Sequence, residues 1–382
     1  MALVDLYTQR VEKIHATPTK AVIIATGGGS EVFGHLLAKG GGTSTLLAGL
    51  IPYSTKETAN ILGRVPDKVV SSQTARSLAM SAYQKALKLR DGDYPVIGVA
   101  CTASLQRVPD ERQGRKHEVF VAVQTRNTTR VVGIDLTKAF YHFGDIQPES
   151  VRATEEGICA TMILEALEFG CGIRNSVDPG AESSFVFEDI CKSEPFAQIL
   201  EGSTRWFVFE NGKVVAPLLN FDPKNIALFP VSFNPIHDGH KEMIIMTANR
   251  SGRDCYPEIS ITNVDKPATD FISLRDRLAL IEGPVLITNA PTFVEKSRLF
   301  PKAHFIVGYD TYTRILNPKY AGSIDHVVSM FEGNENYFYI FTRNNKECGI
   351  WNTGDTCLPG EFITEPRNFE GMSSSELRKK EQ

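Results

Sequence analysis

The sequence predicts an α/β protein of two three-layer α/β domains, the second of them a doubly wound parallel sheet. Short apolar runs bounded by glycine or polar residues, such as KAVIIATGG, YPVIGVACT, NIALFPVSF and HFIVGYD, read as buried strands. Segments with apolar residues at helical spacing, such as EVFGHLLAKG and SLRDRLALIEG, lie between them, and such alternation builds sheets covered by helices. At 382 residues the chain also exceeds what one core usually serves, so two domains are expected.

In chain order, KAVIIATGG runs as a strand into a glycine turn. EVFGHLLAKG follows as a helix, and SSQTARSLAMSAYQKALKLR as another whose leading serines can cap its orphan amides. YPVIGVACT and HEVFVAVQT are strands, and a helix from about Glu149 to Phe169 ends at Gly170. These make a first domain, residues 1–172. The pattern then changes. VDPGAESS is turn-rich, and RWFVFENGKVVAP reads as a hairpin closed by Asn211-Gly212, a type I′ turn pair. Residues 173–223 are therefore expected to be a connector with a β-hairpin. Over 224–382 alternation resumes with strand NIALFPVSF, a helix after Gly239, strand EISITNV, helix SLRDRLALIEG and strands HFIVGYD and NYFYIFTRN, before SSSELRKK opens a last helix. Strands separated by helices imply a parallel sheet, whose ligands sit at the carboxyl ends of its strands.

Net charge is −4, from 41 basic and 45 acidic side chains, which argues against nucleic acid or an anionic membrane as partner. The seven cysteines are scattered without a CxxC pair, a pattern of free thiols in a reducing compartment. No apolar run approaches the ~18 residues of a membrane span, and the cytoplasm is the expected location. Homo-oligomerisation is left open.

FPVSFNPIHDGH, residues 229–240, sets His237 and His240 three residues apart. Zinc would need three or four ligands, and no nearby cysteine or third histidine completes a set, so no metal ligand is assigned. A phosphate is the better physical answer. The pair lies where a buried strand turns into a helix, whose first amides and dipole favour an anion. Gly239 lets phosphate approach the backbone, and imidazole can donate to its oxygens. MSSSELRKK, residues 372–380, adds hydroxyls and helix-start amides, with Arg378 able to reach back toward a triphosphate. TGGGS (26–30) and GGGTS (40–44) fit no G-x-x-x-x-G-K-[ST] loop and read as turn-forming glycines.

FNPIHDGH and MSSSELR together resemble the HxGH and Ser-Ser-x-x-x-Arg signatures of the nucleotidylyltransferase superfamily. FIVGYD (305–310) and YIFTRN, with Arg343, resemble its nicotinamide (or nicotinate) mononucleotide adenylyltransferases, and the likeness spans roughly residues 224–380. The resemblance implies a Rossmann-like sheet in which His237, His240 and Arg378 act on the phosphates and Ser373 and Ser374 close on their β and γ groups. It implies nucleotide contacts from Ser232, Phe233, Asn234, Gly239, Gly308 and Asp310. Lys266, Tyr312 and Arg343 would face the acceptor. The implied reaction is attack by a mononucleotide phosphate on the α-phosphorus of ATP, with Mg²⁺ and release of pyrophosphate. Val231 stands where the family has glycine, and TYTRILNPKY follows Gly-x-Asp without the family's stacking Trp. The acceptor, and CTP in place of ATP, therefore stay open, as does a nucleotide-binding regulator without catalysis.

ATGG (25–28), LAGLIPYS (47–54), VVSSQTARSLA (69–79), Val99–Ser104 and HFGD…VRAT (142–154) resemble, in order, the C-terminal domain of the competence-damage-inducible (CinA) family. Some of its members deamidate nicotinamide mononucleotide. Where the family has its Glu and nucleophilic Ser, this chain has Ile23 and Ile24. An isoleucine cannot attack an amide, so the resemblance implies an amidase fold that has lost its nucleophile.

Overall fold

The computed structural model describes residues 3–38, 40–107, 116–136, 148–173, 186–215, 221–231, 236–317, 323–342 and 358–364. The chain divides into two compact units, one formed by residues 1–197 and 265–273, the other by 198–264 and 274–382. Among the described residues no helix is long and apolar enough to cross a membrane.

The first unit opens with α1 (Leu3–His15), β1 (Lys20–Thr26), α2 (Glu31–Ala38), β2 (Leu46–Leu50), α3 (Thr55–Leu62), α4 (Ser72–Leu89) and β3 (Val96–Ser104). It continues with β4 (Glu118–Gln124), β5 (Thr128–Asp135), α5 (Pro148–Gly170) and β6 (Val186–Lys192), after which α6 (Glu194–Glu201) runs across the division. The sheet order is β2-β1-β3-β4-β5-β6. Only β2, β1 and β3 are parallel; β3 to β6 form an antiparallel meander, a departure from the expected alternation. Alternate residues Ala21, Ile23 and Ala25 of β1 pack with Val11 and Ile14 of α1, Val32 and Leu36 of α2, and Cys159, Ile163 and Leu167 of α5. Helix α4 covers the opposite face, so the unit has three layers. Ser71 caps α4 by accepting the Thr74 N–H at 3.1 Å, as the leading serines suggested.

The second unit contains β7 (Trp206–Glu210), β8 (Lys213–Val215), β9 (Ile226–Pro230), α7 (Asp238–Ser251), β10 (Asp254–Ser260), α8 (Phe271–Leu278), β11 (Val285–Thr288) and α9 (Phe293–Leu299). There follow β12 (His304–Gly308), α10 (Tyr309–Ile315), α11 (Ile324–Gly333), β13 (Tyr337–Thr342) and β14 (Gly360–Thr364). Its strands run β14-β13-β12-β9-β10-β11-β7-β8, and the first six are parallel. Numbered from β9, that is the 3-2-1-4-5-6 order of a doubly wound Rossmann sheet. The core on one face joins Leu228, Phe305, Val307 and Phe338 to Phe300, Tyr312 and Phe331.

The stretch 173–223 is not a separate connector. β6 pairs antiparallel with β5, and the β7–β8 hairpin pairs antiparallel with β11, so each completes the edge of a different sheet. The hairpin turn itself is as read, with Asn211 at φ 48° and Gly212 at φ 78°. Strand β10 starts earlier than EISITNV suggested and ends at Ser260.

After β10 the chain enters the first unit for residues 265–273. There the Phe271 N–H donates to Thr129 Oγ1 at 3.0 Å, and the Ala268 N–H to Gln84 Oε1 at 3.1 Å. Arg76 Nε of α4 donates to Asp270 Oδ1 at 3.0 Å; the two side chains are 8% and 3% exposed. Asp270 Oδ1 also accepts the Ser273 N–H at 2.9 Å and so caps α8. Removing the arginine leaves the buried Asp270 carboxylate with the Ser273 N–H and hydroxyl but no counter-charge. Arg76→Leu should therefore cost about 3–5 kcal/mol, read as a lowered urea midpoint. A loss below about 1 kcal/mol would mean the pair is hydrated or dispensable.

Candidate functional site

In the second unit β9 pairs with β10 as far as Pro230 opposite Glu258, but with β12 only at Ala227–His304 and Leu228–Phe305. Beyond Leu228, β9 and β12 part. One leads to α7 and the other to α10, which makes the gap the topological switch point, where such sheets take ligands. Gly308 precedes α10, and a Cβ added there would meet nothing within 4 Å.

His237 is the N-cap of α7, in extended conformation at φ −139° and ψ 166°. Its carbonyl accepts the His240 N–H at 2.9 Å, closing the first turn. The two imidazoles stack at 3.6 Å between centroids and 22° between planes, and Phe229 meets His240 edge-on at 5.7 Å. The His237 N–H donates to His240 Nδ1 at 3.3 Å. A nitrogen that accepts carries no proton, so neutral His240 holds its hydrogen on Nε2. Burial, and next the neighbouring His237, lower the His240 pKa to about 4, so the ring is neutral at pH 7. A neutral Nε2–H at a helix start is a hydrogen-bond donor suited to an anion, not a general base.

Gly239 lies in the first turn of α7 between the histidines, and Asp310 is exposed in the first turn of α10. One expectation, that for Tyr312, needs correction. Tyr312 is fully buried in the core, edge-on to Phe362 at 5.6 Å and 6.2 Å from Tyr309, and so offers no face to an acceptor. Lys266 belongs to the excursion 265–273, in the first unit, because that segment is anchored by Arg76, Gln84 and Thr129. Ser232, Phe233, Asn234, Arg343, Ser373, Ser374 and Arg378 lie outside the described residues. Among the described residues no three His, Cys, Asp or Glu side chains gather as metal ligands.

The glycine turn of the first unit shapes the backbone, as read. Gly27 has φ +80°, and a Cβ there would lie 2.0 Å from the Ala103 carbonyl oxygen. The N–H groups of Gly29 and Ser30 and the Ser30 hydroxyl all donate to the Glu156 carboxylate, at 2.9, 2.6 and 2.7 Å. The anion position at the start of α2 is thus filled by the chain itself. Ile23 and Ile24 are buried in β1, and Ser54 caps α3 by accepting the Glu57 N–H at 3.1 Å. Sequence reasoning missed Glu156, whose only signal was a Glu-Glu pair on a helix otherwise rich in apolar residues.

The sequence matches no family model and no curated protein. Solved structures do resemble it. A competence or damage-inducible protein from Enterobacter asburiae is 17% identical at a TM-score of 0.32, over 44% of this chain and 99% of its own. The competence/damage-inducible protein CihA from Agrobacterium tumefaciens is 19% identical at 0.30, over 45% and 99%. A CinA superfamily protein from Klebsiella pneumoniae is 16% identical at 0.30, over 44% and 99%. They carry the family description of the resemblance read in residues 21–169, but likeness at this level bears on neither activity nor substrate.

The lowered pKa has a measurable consequence. An unfolded histidine titrates near 6.5 and folded His240 near 4, so between those values the unfolded chain binds the extra proton. The stability contributed by the neutral ring is complete above pH 6.5 and is lost as pH falls toward 4. His240→Gln should therefore lose less stability than wild type across that window, by up to about 3 kcal/mol in denaturant titrations at stepped pH. His304, also lowered to about 4 by burial and then Arg253, acts equally in both proteins. Equal losses in the two proteins would contradict a neutral, buried His240.

Proposed function

We propose that the second unit is a nucleotidylyltransferase that moves the adenylyl group of ATP onto nicotinamide or nicotinate mononucleotide and releases pyrophosphate. The observation that carries this reading is the stacked histidine pair at the start of α7, beside the switch point of a doubly wound sheet. A triphosphate at that point meets the helix amides, the positive end of the dipole and the His240 Nε2–H together. Each charge-assisted contact contributes about 1.5–3 kcal/mol, and contacts that strengthen as charge builds in the transition state raise turnover.

The reaction needs no covalent intermediate. An acceptor phosphate oxygen attacks the α-phosphorus in line, the bond from that phosphorus to the bridging oxygen breaks, and pyrophosphate leaves with its electron pair. Mg²⁺ arrives with ATP as part of the substrate and neutralises the leaving charge. The chain's contribution is positioning and hydrogen-bond donation, with Arg378, Ser373 and Ser374 in the phosphate-closing roles that the resemblance implies. Burial of Tyr312 removes the ring expected to stack on a pyridine, which favours a second reading: transfer to another phosphorylated acceptor, from ATP or CTP. For the first unit, buried Ile23 and Ile24 support the reading of an amidase fold without its nucleophile.

Purified protein given Mg²⁺, ATP or CTP and a panel of phosphorylated acceptors should release pyrophosphate with at least one pair. His240→Ala should cut that turnover by about 10²-fold or more. Turnover like wild type in that variant would remove the histidine from the chemistry. Calorimetric ATP binding with no pyrophosphate across the panel would leave a nucleotide-binding regulator in place of an enzyme.

A further inference from the structure

The carboxyl ends of β10 and β11 carry a buried ion pair that the proposed chemistry does not use. Glu258 and Lys296, 1% and 3% exposed, meet at 2.9 Å. The same carboxylate oxygen accepts Thr288 Oγ1 at 2.5 Å, and Lys296 Nζ also donates to the Ala290 carbonyl at 2.6 Å. Thr288 Oγ1 in turn accepts the Ala290 N–H at 3.2 Å. The main chain of Glu258 makes a further link. It lies opposite Pro230, the last residue of β9, and its carbonyl accepts the Val231 N–H at 3.1 Å. One residue therefore joins β11 and α9 to the point where the chain leaves β9 for the histidine turn.

Stability alone gives no reason for this arrangement. Two buried charges lose their hydration, and apolar side chains of similar volume in their place are often as stable or more so. A charge pair with directed hydrogen bonds adds something that apolar packing lacks, a fixed register between the strands it joins.

We propose that Glu258 and Lys296 are positioning residues: a brace that fixes where β9 releases the turn, and so where the two imidazoles sit. Its catalytic consequence rests on the transferase reading, whereas its effect on the turn does not. The side chains act through the backbone of β10 and touch no substrate.

The double substitution E258M/K296M in the full chain tests this, since both new side chains are unbranched and no buried charge is left over. Backbone hydrogen exchange in the ligand-free protein should accelerate at least about tenfold at the Val231, His237 and His240 amides, each of which donates a hydrogen bond. Phe338–Ile340 of β13 should keep the wild-type rate. The kcat for pyrophosphate release, counted per folded molecule, should fall at least about tenfold while KM for ATP changes less than about threefold; a smaller folded fraction alone would leave that kcat unchanged. Unchanged exchange across the turn of a folded double variant overturns the proposal, whatever the activity. If that variant does not fold, Thr288→Val keeps the shape and removes one arm of the brace. Exchange at Val231 should then rise about threefold, and a wild-type rate there overturns the proposal. A wild-type protein that releases no pyrophosphate refutes the transferase reading, and the exchange rates still decide the brace.

Discussion

A single hydrogen bond, from the His237 N–H to His240 Nδ1, governs what the candidate site can do. It assigns the proton of the neutral ring to Nε2, while burial and next the neighbouring His237 keep that imidazole neutral. Were Nδ1 protonated instead, the same residue would present a lone pair to the switch point and repel phosphate. The bond exists only because His237 adopts an extended N-cap conformation and His240 sits three residues later, at the close of the first helical turn. Strand β9 delivers both residues beside the gap where it parts from β12.

The two units use one construction, a first parallel strand turning into a helix, with different occupants. In the first, the amides of Gly29 and Ser30 receive Glu156 from α5, a carboxylate that satisfies them within the chain. In the second, the helix start carries two imidazoles. This is a physical account of why the glycine-rich TGGGS is a shaping turn while the glycine-poor HDGH is the better phosphate candidate. Free backbone curvature does not by itself make an anion site; hydrogen-bond donors at a helix start do.

What was legible in the sequence was local. Asn211-Gly212 announced its hairpin, Ser71 its helix cap, and the apolar runs their strands, because each depends on residues within one turn or one strand. The parallel pairing of the second sheet followed from strand–helix alternation, although the order of its strands did not. Contacts distant in sequence were not legible. Strand β6 was hidden in a polar stretch because an edge strand needs no apolar run on both faces. That residues 265–273 belong to the first unit was not legible, because nothing local reveals that Asp270 pairs with Arg76, 194 residues away. Tyr312 was misread although the signal was present. Tyr309, Tyr312 and Ile315 recur every three residues, the stripe of a helix facing a core. The brace was not legible either: Glu258 opened the run EISITNV in the sequence, and only the longer β10 places it inside a buried stretch.

Nitrogen-detected NMR of the histidine side chains tests the central claim most directly, because it reports tautomer and ligand contact on the same atoms. At pH 7 His240 should appear neutral with its hydrogen on Nε2, and that nitrogen should shift when Mg²⁺-ATP is added but not when adenosine is. A proton on Nδ1, or an Nε2 signal indifferent to the triphosphate, would contradict the account.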